Sequence, residues 1–126
     1  MRITVLGATG MAGTAVVNEA LSRGHEVTAV SRRRRHRTGA RLTSRLLDVT
    51  DVEGVAGLLK DSDAAVVALR PPAGHESDLA QLTTAVLDAA SRGRTPLLII
   101  GGAAPLSSPT DPSILAIDDP TIVPPA

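Results

Sequence analysis

A run of seven residues, Gly7-Ala8-Thr9-Gly10-Met11-Ala12-Gly13, constrains this chain more than any other stretch. It follows the apolar Ile3-Thr4-Val5-Leu6 and precedes an amphipathic segment that runs from Met11 to Arg23. That order predicts a strand, a glycine turn and a helix. Glycines let the backbone reverse sharply and approach a ligand, because a Cβ there would clash or demand positive φ. The helix then aims its unpaired N–H groups and positive dipole end at the turn, which favours a pyrophosphate. The spacing is Gly-x-x-Gly-x-x-Gly, not the Gly-x-Gly-x-x-Gly of the standard dinucleotide fingerprint. Gly13 is placed to pack helix on strand, and Thr9 to offer a hydroxyl to a phosphate. A structural βα turn that binds nothing is the alternative; the strand before and the helix after favour a ligand site.

The next segments extend the same pattern. Ala12, Ala15, Val16, Ala20 and Leu21 recur at helical spacing, and Arg23-Gly24 supplies a cation and a C′ glycine to end the helix. Glu26 to Val30 reads as a second strand, completing a βαβ unit with a right-handed crossover. Ser31-Arg32 follows, at the position where dinucleotide folds place an acid on the ribose 2′-OH or an arginine near a 2′-phosphate. An arginine there argues for NADP over NAD, since its planar fork binds phosphate bidentately. Five of the six residues from Arg32 to Arg37 are arginine. Arg34 to Arg37 read as mostly solvated, and without interleaved aromatics a nucleic-acid surface is disfavoured.

Residues 41–47 read as a third strand near the sheet edge. Asp51, or Thr50, is placed to cap a short helix ending near Lys60. Asp48 has two readings, an acceptor for an adenine amino group or a turn residue. Residues 63–69 form the clearest buried strand and lead into Arg70-Pro71-Pro72-Ala73-Gly74, a loop at the carboxyl edge where open α/β sheets bind ligands. Arg70 is a candidate for a substrate anion or a cofactor phosphate, with a solvated loop arginine as the alternative. His75 begins the next helix, roughly residues 77–91, and reads as a surface residue more than as a base. Residues 95–100 are a fifth strand, after which Gly101-Gly102 leave space for a nicotinamide ring. From Pro105 onward there are six prolines in twenty-two residues, which reads as an extended or partly disordered tail, with Ile114–Ile117 a candidate short strand.

Composition narrows the chemistry. The 126 residues suffice for one domain with one core. Net charge is zero, so no global field favours nucleic acid. There is no cysteine, which removes disulfides, thiolate catalysis and cysteine metal sites and suits a reducing cytoplasm; no other metal site is read from the sequence. No apolar run reaches membrane-span length. Phe, Tyr and Trp are absent, so the core must come from Val, Leu, Ile and Ala, and no tyrosine acid exists.

Together, residues 5–13, 24–32 and 47–51, followed by 63–69 and 98–103, resemble the NAD(P)H-binding, NmrA-like family. These are atypical short-chain dehydrogenase/reductases with epimerase-like relatives, and they include the biliverdin-IXβ/flavin reductases. The resemblance implies an α/β, three-layer Rossmann-like parallel sheet of order 3-2-1-4-5 in residues 1–104, with an irregular proline-rich tail in 105–126. It implies that Gly7, Thr9, Gly10, Met11 and Gly13, with Ala8 and Ala12 in the same loop, surround the pyrophosphate. It further implies that Arg32 beside Ser31 meets a 2′-phosphate, that Asp48 and Val49 flank the adenine, and that Leu69 and Arg70 lie along the ribose, with Gly101 beside the nicotinamide. Such proteins usually run to about two hundred residues, and the C-terminal half that supplies their substrate pocket is missing here. The Tyr-x-x-x-Lys acid/base pair is also missing, and Gly101-Gly102-Ala103 replaces the serine that often follows the fifth strand. The expectation is an NADP(H)-binding protein, either a reductase acting on a small-molecule substrate or a non-catalytic sensor. No catalytic residue can be named. The fifth strand should leave an edge for the tail or a second copy to cover.

Overall fold

The computed structural model describes residues 1–33, 38–72, 74–102 and 106–122. Arg34 to Arg37, Ala103 and Ala104 lie outside these, so the solvated run and the boundary at 104/105 do too. The elements are β1 (Arg2–Leu6), α1 (Met11–Ser22), β2 (Glu26–Ser31), β3 (Leu42–Leu46), α2 (Val52–Lys60), β4 (Ala64–Val67), α3 (Asp78–Gly93) and β5 (Leu97–Ile99). All strand pairs are parallel, and the sheet order is β3-β2-β1-β4-β5, as the resemblance implies.

Strand alternation divides the sheet between two layers of helix. On one face Leu6, Val30, Ala65 and Val67 pack against Val55 and Leu59 of α2 and Val86, Ala89 and Ala90 of α3. On the other, Val5, Val27 and Ala29 pack against Val17 and Ala20 of α1. The buried apolar residues are nearly all Val and Ala, with Leu6 and Leu59 the large exceptions. Small side chains let the layers approach closely. The face over β4 and β5 on the α1 side is barer: Leu98 and Ile100 are exposed, and Val66 is half-buried.

Each helix end has a local cause. Asp51 caps α2 by accepting the Gly54 N–H at 3.0 Å. Gly24, at φ +81°, ends α1 with its N–H on Leu21 O and the His25 N–H on Ala20 O. Helix α3 runs two residues past the expected end. Gly93 stays helical because it passes close to α2, where an added Cβ would lie 3.3 Å from Leu59 Cβ, and Arg94 takes the left-handed turn at φ 52°. Strands β4 and β5 are shorter than the apolar runs that encode them, and the expected Ile114–Ile117 strand is instead a 3-10 turn at Ala116–Asp118.

Residues 106–122 fold around a carboxylate. Buried Asp119 accepts hydrogen bonds from the hydroxyls of Ser108 and Thr110, from the Thr121 hydroxyl at 2.6 Å and from the Thr121 N–H at 2.8 Å. The hydroxyls, Ser108 first, hold its carboxyl far below the usual carboxylate range. Ser107 and Leu115 add one antiparallel bridge.

Candidate functional site

The glycine turn sits where the carboxyl ends of β1, β2 and β4 converge. Val30 O accepts two bonds from it, Gly7 N–H at 3.1 Å and Ala8 N–H at 3.0 Å, while Gly10 N–H closes on Gly7 O at 3.2 Å. The Thr14 hydroxyl, which sequence reasoning passed over, reaches back to Ala8 O at 3.2 Å. Gly7 has φ +83°, and a Cβ there would lie 2.4 Å from Ala68 O. Gly13 faces the turn from within α1, and a Cβ there would lie 2.1 Å from Gly7 O. Two of the three glycines are therefore required by backbone geometry. Gly10 is not: its φ is −75° and a Cβ would meet nothing nearer than 3.5 Å. It is the N-cap of α1, and no side chain caps the helix, so the positive end is open toward the cavity in front of it.

That cavity, about 230 Å³, is lined at one end by Gly7, Thr9 and Gly10 and at the other by Ser31, Arg32 and Val49. Leu69 and Arg70, just past β4, form a third side. Val30, Leu47, Ala68 and Leu82 complete apolar walls; the first three fall within the segments that carry the resemblance but were not singled out, and Leu82 had only ordinary core periodicity. A second cavity of about 400 Å³ shares Gly10, Leu69 and Arg70 and continues past the turn to Met11, Ala12, Leu79, Ile100 and Gly101. The expected site residues are thus distributed along one continuous groove over the carboxyl edge. Three do not line it: Ala8 and Gly13 are buried and shape the turn, and Asp48 sits in a turn of its own.

Asp48 is built into a turn. Its Oδ1 accepts the Thr50 N–H at 3.0 Å and the Thr50 hydroxyl at 2.8 Å, and it is not among the residues lining the groove. Those bonds, from the backbone first, hold its carboxyl below the ordinary value, and the nearby Arg32 charge adds to the effect. Of its two readings, these contacts match the turn residue; its neighbour Val49 is the one that lines the cavity. His75 is exposed and pairs with Asp78 at 3.5 Å, away from the lining of either cavity. In the second cavity the one lining carboxylate is Glu76, held below its usual value by its own backbone N–H and that of Gly74.

A nicotinamide dinucleotide fits these features. A turn that excludes any Cβ at Gly7, an uncapped helix N-terminus and an arginine at the far end of one groove are the donors that a pyrophosphate and a ribose phosphate need. Comparison with known proteins agrees on the class. The chain is 32% identical over 110 residues to YwnB of Bacillus subtilis (strain 168), covering 84% of this chain and 49% of YwnB. It superposes on a protein of Bacteroides thetaiotaomicron named as a candidate epimerase, with TM-score 0.79, 29% identity and coverage of 93% of this chain and 53% of that one. A protein of Burkholderia pseudomallei named as a candidate exported protein gives TM-score 0.74 and 29% identity, over 94% and 55%. The chain therefore spans about half the length of the proteins it matches. Residues 7–121 match the model of the family described as NAD(P)H-binding, and the chain belongs to that family.

Proposed function

We propose that this chain binds NADP(H) in preference to NAD(H) and acts as an NADPH-dependent reductase of the flavin, quinone or biliverdin type. The observation that carries the nucleotide choice is the end of β2. Ser31 and Arg32 line the same cavity as Gly7, Thr9 and Gly10, and among the described residues no carboxylate lines it. An acid there would accept the ribose 2′-OH and repel a 2′-phosphate; a guanidinium attracts the phosphate. On this reading the turn and the first residues of α1 hold the pyrophosphate, while Leu47 and Val49 hold the adenine. Arg70, common to both cavities, lies along the ribose and phosphates. Met11, Leu79 and Ile100 receive the nicotinamide end, with Gly101 leaving room beside it.

When bound, the cofactor supplies the hydride. The residues of this chain orient it and give the second cavity a mostly apolar lining, with Arg70 and Glu76 its charged members. Among the described residues lining it there is no proton donor suited to neutral pH: tyrosine is absent from the sequence, and Glu76 is held ionised. An acceptor reduced without a protein acid, its proton coming from solvent, suits that cavity, hence a flavin or quinone. The same lack of an acid favours a second reading, a non-catalytic NADP(H) sensor. No described helix is long and apolar enough to cross a membrane. The absence of cysteine supports a cytoplasmic setting, and zero net charge argues against nucleic acid.

The test is a pair of measurements on the 126-residue chain. NADPH should raise the melting temperature well above what NADH does. Equal shifts would remove the NADP assignment, and no shift with either would remove the cofactor reading. NADPH consumption with FMN or a quinone then supports the reductase, and binding without consumption supports the sensor.

A further inference from the structure

Met11 brings to the groove a chemistry that nucleotide binding does not use. It is the first residue of α1, 92% exposed, and lines the second cavity with Leu79 and Ile100. The chain has no cysteine and two methionines, so Met1 and Met11 carry its only sulfur atoms. Met1 is also exposed, at 62%, but it lies at the amino end of β1 and lines neither cavity of the groove. One oxidisable sulfur thus sits in the wall of the groove and one outside it.

We propose that Met11 is a peroxide-sensitive site whose oxidation weakens nucleotide binding and whose occupancy by nucleotide protects it. The thioether sulfur attacks one peroxide oxygen and the O–O bond breaks. The sulfur loses two electrons to become a sulfoxide, the peroxide is reduced by the same two, and the second oxygen leaves as water. A flexible apolar wall becomes polar and chiral. A thioether packs favourably against an aromatic ring, and a sulfoxide forfeits that contact. The expected loss in nucleotide affinity is roughly twofold to tenfold. Coupling to the nucleotide rests on the function proposed above; oxidation of Met11 does not.

The experiment treats the whole chain with dilute hydrogen peroxide, with and without saturating NADP⁺, after NADP⁺ binding to the untreated protein has been measured. Peptide mass spectrometry follows the one-oxygen gain at Met11 and Met1 separately. Bound NADP⁺ should slow oxidation at Met11 severalfold and leave Met1 unchanged. The oxidised protein should bind NADP⁺ roughly twofold to tenfold more weakly. Methionine sulfoxide reductases should restore the affinity. Met11→Leu, which keeps Met1, should bind NADP⁺ equally before and after peroxide. Equal Met11 oxidation rates with and without NADP⁺, unchanged affinity after full oxidation, or a peroxide-sensitive Met11→Leu protein would each overturn the proposal. Absence of NADP⁺ binding before any peroxide is added would instead overturn the nucleotide reading.

Discussion

Gly13→Ala places a methyl where the structure has a carbonyl. The new Cβ would lie 2.1 Å from Gly7 O and 2.9 Å from Ala8 Cα, both backbone atoms, so helix and turn must separate by over an ångström. The turn cannot follow freely, because Gly7 and Ala8 are tied to Val30 O and Gly10 is tied to Gly7 O. Overpacking a close contact costs about 1–3 kcal/mol. Each turn hydrogen bond lost adds about 1 kcal/mol, and alanine's better helix propensity returns about 1 kcal/mol. A net loss of about 2–4 kcal/mol follows, or on the order of 10 °C in melting temperature for a chain of this size. Urea unfolding followed by far-UV circular dichroism measures it directly. Gly10→Ala is the control, since its Cβ would make only ordinary contact with Gly7 O at 3.5 Å. That variant should lose less than about 1 kcal/mol, yet bind NADPH more weakly through the methyl added to the cavity wall. A Gly13→Ala protein as stable as the parent would refute the close-packing account of the turn.

Leu59 of α2 is fully buried against α3 and the sheet, so Leu59→Ala should cost about 2–5 kcal/mol by denaturant titration. Asp119→Ala should release residues 106–122 to limited proteolysis while β1 to α3 stays protected. Because the Asp119 carboxyl is depressed on folding, its contribution is complete above the unfolded value of about 3.9. It is lost as pH falls below that toward the folded value, so the parent loop should become protease-sensitive in strong acid. Among the described residues β5 pairs only with β4, and it exposes Leu98 and Ile99, with Ile100 just past it also exposed, an uncharged edge. A second copy should cover it: light scattering should give a dimer for the parent and a monomer for Leu98→Asp, and a monomeric parent would contradict this.

What the sequence made legible followed from signals that act locally. Asp51 as a cap, Gly24 as a helix stop and the alternation of Val5 and Leu6 each depend on a few neighbouring residues. The face of α1 did not. Spacing pointed to Ala12, Ala15, Val16, Ala20 and Leu21; Ala20 is buried and Val16 and Leu21 pack partly buried against the core, but the buried Gly13 and Val17 were not in that set. The close approach of Gly13 to Gly7 selects that face, and it is a contact between segments. Asp48 carries both of its sequence readings into the structure: Thr50, two residues on, donates to its Oδ1 as a turn partner would. The Asp119 cluster was hidden because its hydroxyls come from both ends of a loop rich in prolines, where composition alone suggests an extended chain.

The most direct test of the central claim is titration of NADPH into the 126-residue chain by its own fluorescence, which no tryptophan or tyrosine obscures. One site per chain should bind NADPH at least about tenfold more tightly than NADH. Arg32→Ala should erase most of that difference, since charge-assisted phosphate hydrogen bonds are worth about 1.5–3 kcal/mol each. NADPH and NADH binding alike, or a preference for NADPH that survives Arg32→Ala, would contradict it.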